Sequence, residues 1–263
     1  MPIITLCTDF GTRDGYVAAM KGIMLDIAPT ATLVDITHDI PPQSVTEAAF
    51  VLASCTCFFP AGTIHLIVVD PGVGTARRAL AVRTARHVYV APDNGVLTLA
   101  LHHDPPLEAV SLTAKRFWRT TEPSSTFHGR DIFAPVAAHL ACGVTLTELG
   151  QPAGDLAHLD ILSAHQAKDG SINGHILHID RFGNVITDIA AELLAGRTDW
   201  SVTLGGIGVG PLVPTYGAVS PGEILALVGS HGFLEIAVRE GHAAERLGVC
   251  VGDPVQVSPW SQA

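Results

Sequence analysis

Over about the first 145 of its 263 residues, the chain alternates between strand-like and helix-like spacing of apolar residues. Residues 3–7 form a mostly apolar run that ends at Thr8-Asp9, and apolar residues from Tyr16 to Ile27 then recur at helical spacing until Pro29. Further strand-like runs cover residues 33–36, 64–69, 79–82 and 88–91, and helical spacing returns over residues 131–142, before Gly143. This alternation predicts an α/β fold with an open, mainly parallel sheet and helices on both faces.

The second predicted helix has a recognisable start. The segment Ser44-Val45-Thr46-Glu47 matches a capping box, in which a hydroxyl and a carboxylate three residues later bond free backbone amides of the first turn. We therefore expect a helix that begins at Val45 and ends near Pro60.

The pattern changes after about residue 155, where short strand-like runs and closely spaced glycines replace the strand–helix alternation. The runs cover residues 174–180, 200–204, 224–228, 233–238 and 255–257, and residues 243–247 are typical of a single helical turn. These features predict a smaller antiparallel β-barrel-like domain. We expect an α/β domain over residues 1–160 and the second domain over residues 170–263.

Composition and charge exclude several classes of function. Hydrophobic residues make up 48% of the chain, which is typical of a globular protein, and the net charge of −10 argues against nucleic acid as a partner. Apolar runs such as residues 48–53 are far shorter than the roughly 20 residues of a membrane span. The opening residues lack the basic region of a signal peptide, so a cytoplasmic protein with reduced cysteines is expected.

Two segments that follow predicted strands carry candidate chemistry, because ligands of open α/β sheets bind at that edge. Asp9 could accept hydrogen bonds from a ribose diol, although an N-cap or Asx-turn is the commoner role of such a residue. Asp70 ends the apolar run 64–69, and the glycine-containing loop after it can fold back to pair it with Arg77. A purely structural ion pair explains that spacing equally well.

Two further segments are candidates on weaker grounds. His128 lies beside a glycine at a predicted helix start, where a histidine can reach into a cleft. Asp180, Phe182 and Asn184 offer a carboxylate, an aromatic face and an amide within one turn, although a plain β-hairpin turn is the simpler interpretation. No metal site is expected, because the clusters at 102–104 and 38–39 lack a partner at the spacing that zinc requires.

Taken in order, these segments resemble the S-adenosyl-L-methionine hydroxide adenosyltransferase family, whose relatives include fluorinating and chlorinating enzymes. The matching stretches are TDFG at 8–11, DPGVGTAR at 70–77, APDNG at 91–95, FHGRD at 127–131, DRFGN at 180–184 and GSHGFLEIA at 229–237. The resemblance implies an N-terminal α/β domain, a C-terminal barrel-like domain and a homotrimer with sites at subunit interfaces. It implies cleavage of S-adenosyl-L-methionine by water to adenosine and L-methionine, without a cofactor.

The resemblance also assigns roles to individual residues. Asp70, Arg77 and His128 match the polar triad of the water-using enzymes, whereas the halide-using relatives carry other residues there. Asp9 matches the ribose-binding carboxylate. The remaining implied contacts, on the methionine and adenine sides of the substrate, are Asp180, Phe182, Asn184, Tyr216 and Ser230.

The chemistry fits these residues but leaves alternatives open. Attack at the ribose 5′ carbon expels a neutral thioether, so a held water that loses a proton is needed and a general acid is not. Either Asp70 or His128 could be the base. A halide-using transferase and a non-catalytic sensor of adenosyl ligands are the competing interpretations.

Overall fold

The computed structural model describes residues 1–161, 164–197 and 199–259, and the chain divides into two units. Unit 1 spans Met1–Leu159, and unit 2 begins at Asp160. Residues 198 and 260–263 of the predicted second domain lie outside the described residues. Among the described residues, no helix has both the length and the apolar character needed to cross a membrane.

Unit 1 is a seven-stranded sheet with helices packed against it. Its strands and helices, in chain order, are β1 Ile3–Thr8, α1 Tyr16–Ile27, β2 Thr32–Thr37, α2 Val45–Thr56, β3 Ile64–Val68, β4 Ala79–Arg83, β5 Val88–Pro92, α3 Thr98–His103, β6 Glu108–Ser111, α4 Ala134–Ala141, α5 Leu146–Leu149 and β7 Gln151–Pro152. A 3-10 helix at Lys115–Phe117 and a π-helix at Gly129–Phe133 lie between β6 and α4.

The sheet order β2-β1-β3-β5-β4-β6-β7 combines parallel and antiparallel pairing. The pairs β1–β2, β1–β3 and β3–β5 are parallel, whereas β4 pairs antiparallel with both β5 and β6. The connection from β4 to β5 is too short for a crossover, so these two strands form a hairpin. The predicted α/β class is confirmed. The strands β4, β6 and β7 add an antiparallel edge to the parallel strands.

Both faces of the parallel strands are covered, as the apolar runs predict. Leu66 belongs to a core with residues of α1 and α4, and its neighbour Ile67 belongs to a separate core with residues of α2 and α3. Because successive side chains of a strand point to opposite faces, β3 is buried along its whole length. This burial fixes the position of the residues that follow β3.

The predicted helix ends are confirmed in part. Helix α2 begins at Val45 as expected, but the Ser44 side chain makes no capping hydrogen bond, so that part of the predicted capping box is wrong. The Ser44 amide instead donates to Pro41 O in the preceding turn. Helix α2 also ends at Thr56, four residues before Pro60.

Unit 2 is built from antiparallel strands. Its elements, in chain order, are β8 His165–Gln166, β9 Ile172–Ile179, β10 Val185–Ala190, α6 Ala191–Leu194, β11 Trp200–Leu204, β12 Ile207–Pro211, β13 Ile224–Val228, β14 Phe233–Val238, α7 Ala243–Leu247 and β15 Pro254–Pro259. The order is β12-β11-β15-β9-β10-β14-β13, and a bridge from Leu212 to Ala226 nearly closes the sheet. The barrel-like class is therefore confirmed. The sequence prediction missed the short elements β8 and α6 as well as β10 and β12. Asp188 interrupts the apolar pattern of β10, and two glycines interrupt that of β12.

Candidate active site

Asp70 and Arg77 form the ion pair that their spacing predicts. Asp70 follows the buried strand β3, and the loop after it turns at Gly74, whose φ of +77° and close approach to Ser125 O leave no room for a Cβ. Arg77 Nε lies 2.8 Å from Asp70 Oδ1, and Arg77 Nη2 contacts Asp70 Oδ2 closely. The two side chains are 5% and 10% exposed, so this fork-shaped pair is largely removed from solvent.

His128 joins the pair through Arg77 Nη2, the nitrogen that also contacts Asp70 Oδ2. Its Nδ1 lies 3.1 Å from Arg77 Nη2, and it directly precedes the π-helix Gly129–Phe133. Burial and the Arg77 charge hold the pKa of His128 below its usual value, although Asp70 and Asp131 oppose the shift. His128 is therefore neutral at pH 7. Since Arg77 only donates, Nδ1 is the acceptor and Nε2 carries the ring proton.

Asp131 fixes the segment that carries His128, a role that the sequence prediction missed. This fully buried carboxylate accepts hydrogen bonds from Arg119 Nε at 2.6 Å, Arg130 Nε at 2.7 Å and the Ser124 amide at 2.8 Å. Burial alone would raise the pKa of Asp131, but the bonds from Arg130 and Arg119 hold it well below its usual range. Its position three residues after His128 in FHGRD was the only signal in the sequence.

A cavity of about 270 Å³ in unit 1 brings Asp9 to the same site as Asp70 and His128. Asp9 Oδ2 accepts a hydrogen bond of 2.8 Å from the Gln43 amide, so the carboxylate is anchored at one oxygen. Pro42, Val68, Phe10 and Phe127 are among the other lining residues. The cavity therefore combines two carboxylates and a neutral imidazole with an apolar wall.

In unit 2, the segment from Asp180 to Asn184 forms the hairpin turn between β9 and β10. Asp180 Oδ1 accepts from the amides of Phe182 at 2.8 Å and Asn184 at 2.9 Å, and Asp180 Oδ2 accepts from Asn184 Nδ2 at 3.0 Å. Gly183 has a φ of +82° and packs directly on the His242 ring. The simpler structural role therefore holds, and the turn also leaves the Phe182 ring 75% exposed.

Tyr216 lies near this turn and is bonded to Glu235, a residue that sequence reasoning did not single out. The Tyr216 hydroxyl donates closely to Glu235 Oε1, and Glu235 is only 3% exposed. Burial raises the pKa of Glu235, and the charge of Asp180 raises it further, whereas the Tyr216 bond and His231 lower it. Ser230 is exposed in the turn between β13 and β14. Tyr216, Asp180 and Glu235 are thus neighbours within unit 2.

The cluster at residues 102–104 makes contacts of a structural kind. The His102 and His103 rings pack on each other with centroids 5.2 Å apart, and Asp104 Oδ2 accepts from Thr84 Oγ1 at 2.6 Å. Within the described ranges, no group of three or more His, Cys, Asp or Glu side chains is arranged to hold a metal ion.

Comparison with known proteins gives matches over both units. A family model described as the SAM hydroxide adenosyltransferase N-terminal domain matches residues 4–150, and the C-terminal domain of the same family matches residues 174–256. An (R)-S-adenosyl-L-methionine hydrolase of Thermus thermophilus is 42% identical, with 95% of this chain and 97% of that protein covered. A second hydrolase of this name, from Salinispora tropica, is 40% identical with 98% of each covered.

More distant relatives and a solved structure complete the comparison. A fluorinase of an Actinoplanes species is 32% identical, with 90% of each protein covered. A crystal structure of a conserved protein from Thermotoga maritima has a TM-score of 0.90 at 37% identity, covering 97% of this chain and 99% of that one.

Proposed function

The chain belongs to the SAM hydroxide adenosyltransferase family, and we propose that it hydrolyses (R)-S-adenosyl-L-methionine to adenosine and L-methionine. The observation that carries this proposal is the cluster of Asp70, Arg77 and His128, whose carboxylate and imidazole line the cavity that also contains Asp9. An arrangement of this kind supports holding a water molecule beside a bound nucleoside.

In the proposed reaction, a water oxygen forms a bond to the ribose 5′ carbon while the bond from that carbon to sulfur breaks. The electron pair of the broken bond goes to sulfur, which leaves as the neutral thioether of methionine. The water loses one proton, which passes through the site to solvent. The leaving group needs no protonation, and the reaction as written needs neither a metal nor a redox cofactor.

The geometry supports different roles for Asp70 and His128. The Nδ1 atom of His128 is occupied by Arg77, and its protonated Nε2 can donate a hydrogen bond to the water oxygen. Asp70 is acceptor-only, and each carboxylate oxygen has a further lone pair beside the one directed at Arg77. We therefore assign proton acceptance to Asp70, orientation of the water to His128, and placement of the carboxylate to Arg77.

The substrate contacts follow from the same proposal. Asp9 would bind the ribose hydroxyls, while Phe182, Asn184 and Tyr216 would contact the adenine, and Asp180 with Ser230 the methionine. The exposed Phe182 ring supports stacking on a flat base.

We further propose a homotrimer in which the unit 2 residues of one subunit bind the substrate at the site of the neighbouring subunit. Light scattering during size-exclusion chromatography tests this, and a monomeric active enzyme would contradict it.

The proposed reaction is tested by incubating the pure protein with a mixture of the two sulfonium epimers, with and without chloride or fluoride. Products are identified by liquid chromatography and mass spectrometry. We expect adenosine and methionine in equal amounts, loss of the (R) epimer alone, and no 5′-halogenated nucleoside. A halogenated product would identify a halide-using transferase, and binding without turnover would identify a sensor.

Variants at Asp70 then test the assigned roles. Asp70→Asn keeps the shape of the side chain but removes its charge, and we expect turnover to fall by roughly a hundredfold or more. Adenosine binding, measured by calorimetry, should change little. Asp199→Ala removes an exposed Asp–Arg pair elsewhere and serves as the matched control with unchanged turnover. Full turnover by Asp70→Asn would overturn the assignment.

A further inference from the structure

A buried histidine lies directly behind the loop that carries Asp9. His38 follows β2 and is 5% exposed, and its Nδ1 lies 2.9 Å from the hydroxyl of Thr8, the last residue of β1. On its other side, His38 Nε2 lies 3.0 Å from Asp35 Oδ1. Asp35 is held in turn by Lys21 Nζ at 2.6 Å. These four side chains form a continuous chain of contacts from helix α1 to the end of β1.

The Asp35 carboxylate determines where His38 carries its proton. A carboxylate at 3.0 Å from Nε2 is repelled by a bare ring nitrogen and attracted by a protonated one, so Nε2 carries the proton. The contact is not a well-aligned hydrogen bond, and its effect is therefore mainly electrostatic. With the proton on Nε2, Nδ1 accepts a hydrogen bond from the Thr8 hydroxyl, and the Thr8 oxygen in turn accepts one from the Phe10 amide at 3.3 Å.

Backbone contacts reinforce the same connection on both sides of Asp9. The Gly11 amide donates to His38 O at 2.7 Å, and the Gln43 amide donates to Asp9 Oδ2 at 2.8 Å. Gln43 has a φ of +66°, a strained conformation for a non-glycine residue. The loops after β1 and β2 are thus joined at three points, and His38 supplies two of them.

We propose that His38 is a positioning residue that fixes the Asp9 loop for binding the ribose hydroxyls. His38 acts through Thr8 and Gly11 and does not contact the substrate. This inference rests on the proposed role of Asp9 as the ribose-binding carboxylate.

The test is the preference of the protein for adenosine over 2′,3′-dideoxyadenosine, measured as a ratio of dissociation constants by calorimetry. We expect the wild-type preference to be lost in Asp9→Ala and to fall roughly fivefold in His38→Gln, about the effect of one lost hydrogen bond. In the double variant, His38→Gln should cause no further loss, because its effect passes through Asp9. The KM for the sulfonium substrate should rise in His38→Gln by the same factor, with kcat changed less.

Two controls separate positioning from general destabilisation. His65→Gln alters a similar buried pair, since His65 Nδ1 lies 2.7 Å from Thr5 Oγ1 in the middle of β1, and it should keep the full preference. Thr8→Val should reproduce the effect of His38→Gln, and Thr8→Ser, which keeps the hydroxyl, should restore the preference. This second pair carries the test if His38→Gln does not fold.

The outcomes are distinguishable. An unchanged preference in His38→Gln or Thr8→Val, or losses that simply multiply in the double variant, would overturn the role of His38 alone. A preference that survives in Asp9→Ala would overturn the ribose-binding role of Asp9 and the inference with it.

Discussion

Acidification should destabilise unit 1 through His65, which is completely buried in the central strand β3. Its ring stacks on Tyr89 with centroids 5.2 Å apart and lies 4.8 Å from the His87 ring. Burial, with a smaller contribution from His87, lowers the pKa of His65 from its usual 6.5 to about 3. The folded protein therefore holds this ring neutral over a pH range in which the unfolded chain protonates it.

The size of the effect follows from the pKa difference. Because the pKa in the folded state is lowered, the stability contributed by the neutral ring is complete above 6.5 and is lost as the pH falls from 6.5 towards 3. A pH of about 4.5 lies about two units below the pKa of the unfolded chain and above that of the folded protein. Protonation of His65 in the unfolded chain alone therefore lowers the free energy of unfolding by about 3 kcal/mol. Burial also lowers the pKa of His87, which adds to the loss in the same direction.

Urea unfolding followed by circular dichroism at about pH 7.5 and about pH 4.5 measures this loss. The informative variant is His65→Gln, whose amide can still bond Thr5 Oγ1 but cannot be protonated. We expect the variant to be less stable than the wild type at the higher pH and to lose about 3 kcal/mol less on acidification. An equal loss in both proteins would show that His65 is not the origin of the acid sensitivity.

Two further predictions concern the candidate site. The kcat/KM should fall on acidification with a midpoint below the usual histidine pKa, because protonated His128 would face the Arg77 guanidinium. This acid limb should be absent from the residual activity of His128→Gln, measured over the same buffers. Gly183→Ala should cost roughly 2–4 kcal/mol in thermal unfolding, because a Cβ at a φ of +82° would strike the His242 ring. Its KM should also rise, whereas a variant with wild-type stability would contradict the packing argument.

The sequence predicted the bounds of strands and helices best where the local spacing of apolar residues alone decides the structure. The apolar runs gave β1 to β5 and helices α1, α2 and α4 to within a few residues, whereas α3, β6, α5 and β7 were not predicted. The strand from Trp200 to Leu204 and the turn from Ala243 to Leu247 were predicted at their observed bounds. The signal failed where a strand contains an interruption, such as Asp188 in β10. Asp188 is buried, and its carboxylate is tolerated there because Oδ1 accepts a hydrogen bond of 2.7 Å from the His175 amide of β9. No local pattern in the sequence records that contact.

The candidate site divides in the same way. The ordered motifs identified Asp70, Arg77 and His128, because the residue types and the length of the loop after β3 can be read directly from the sequence. The sequence did not reveal that Asp131 clamps the segment of His128 or that Glu235 holds Tyr216. Neither Asp131 nor Glu235 lies in a sequence pattern that marks its role, which follows only from its burial and its contacts in the folded protein.

The sequence by itself therefore determined the fold class, the family and the candidate triad, since these depend on spacing and residue type along the chain. Only the tertiary structure decided the protonation and hydrogen-bond direction of His128, because these follow from Arg77 lying 3.1 Å from Nδ1. The same holds for the chain from Asp35 through His38 to Thr8, whose members are brought together by the parallel pairing of β1 and β2. Distances across a sheet depend on register and burial, which a linear pattern does not contain.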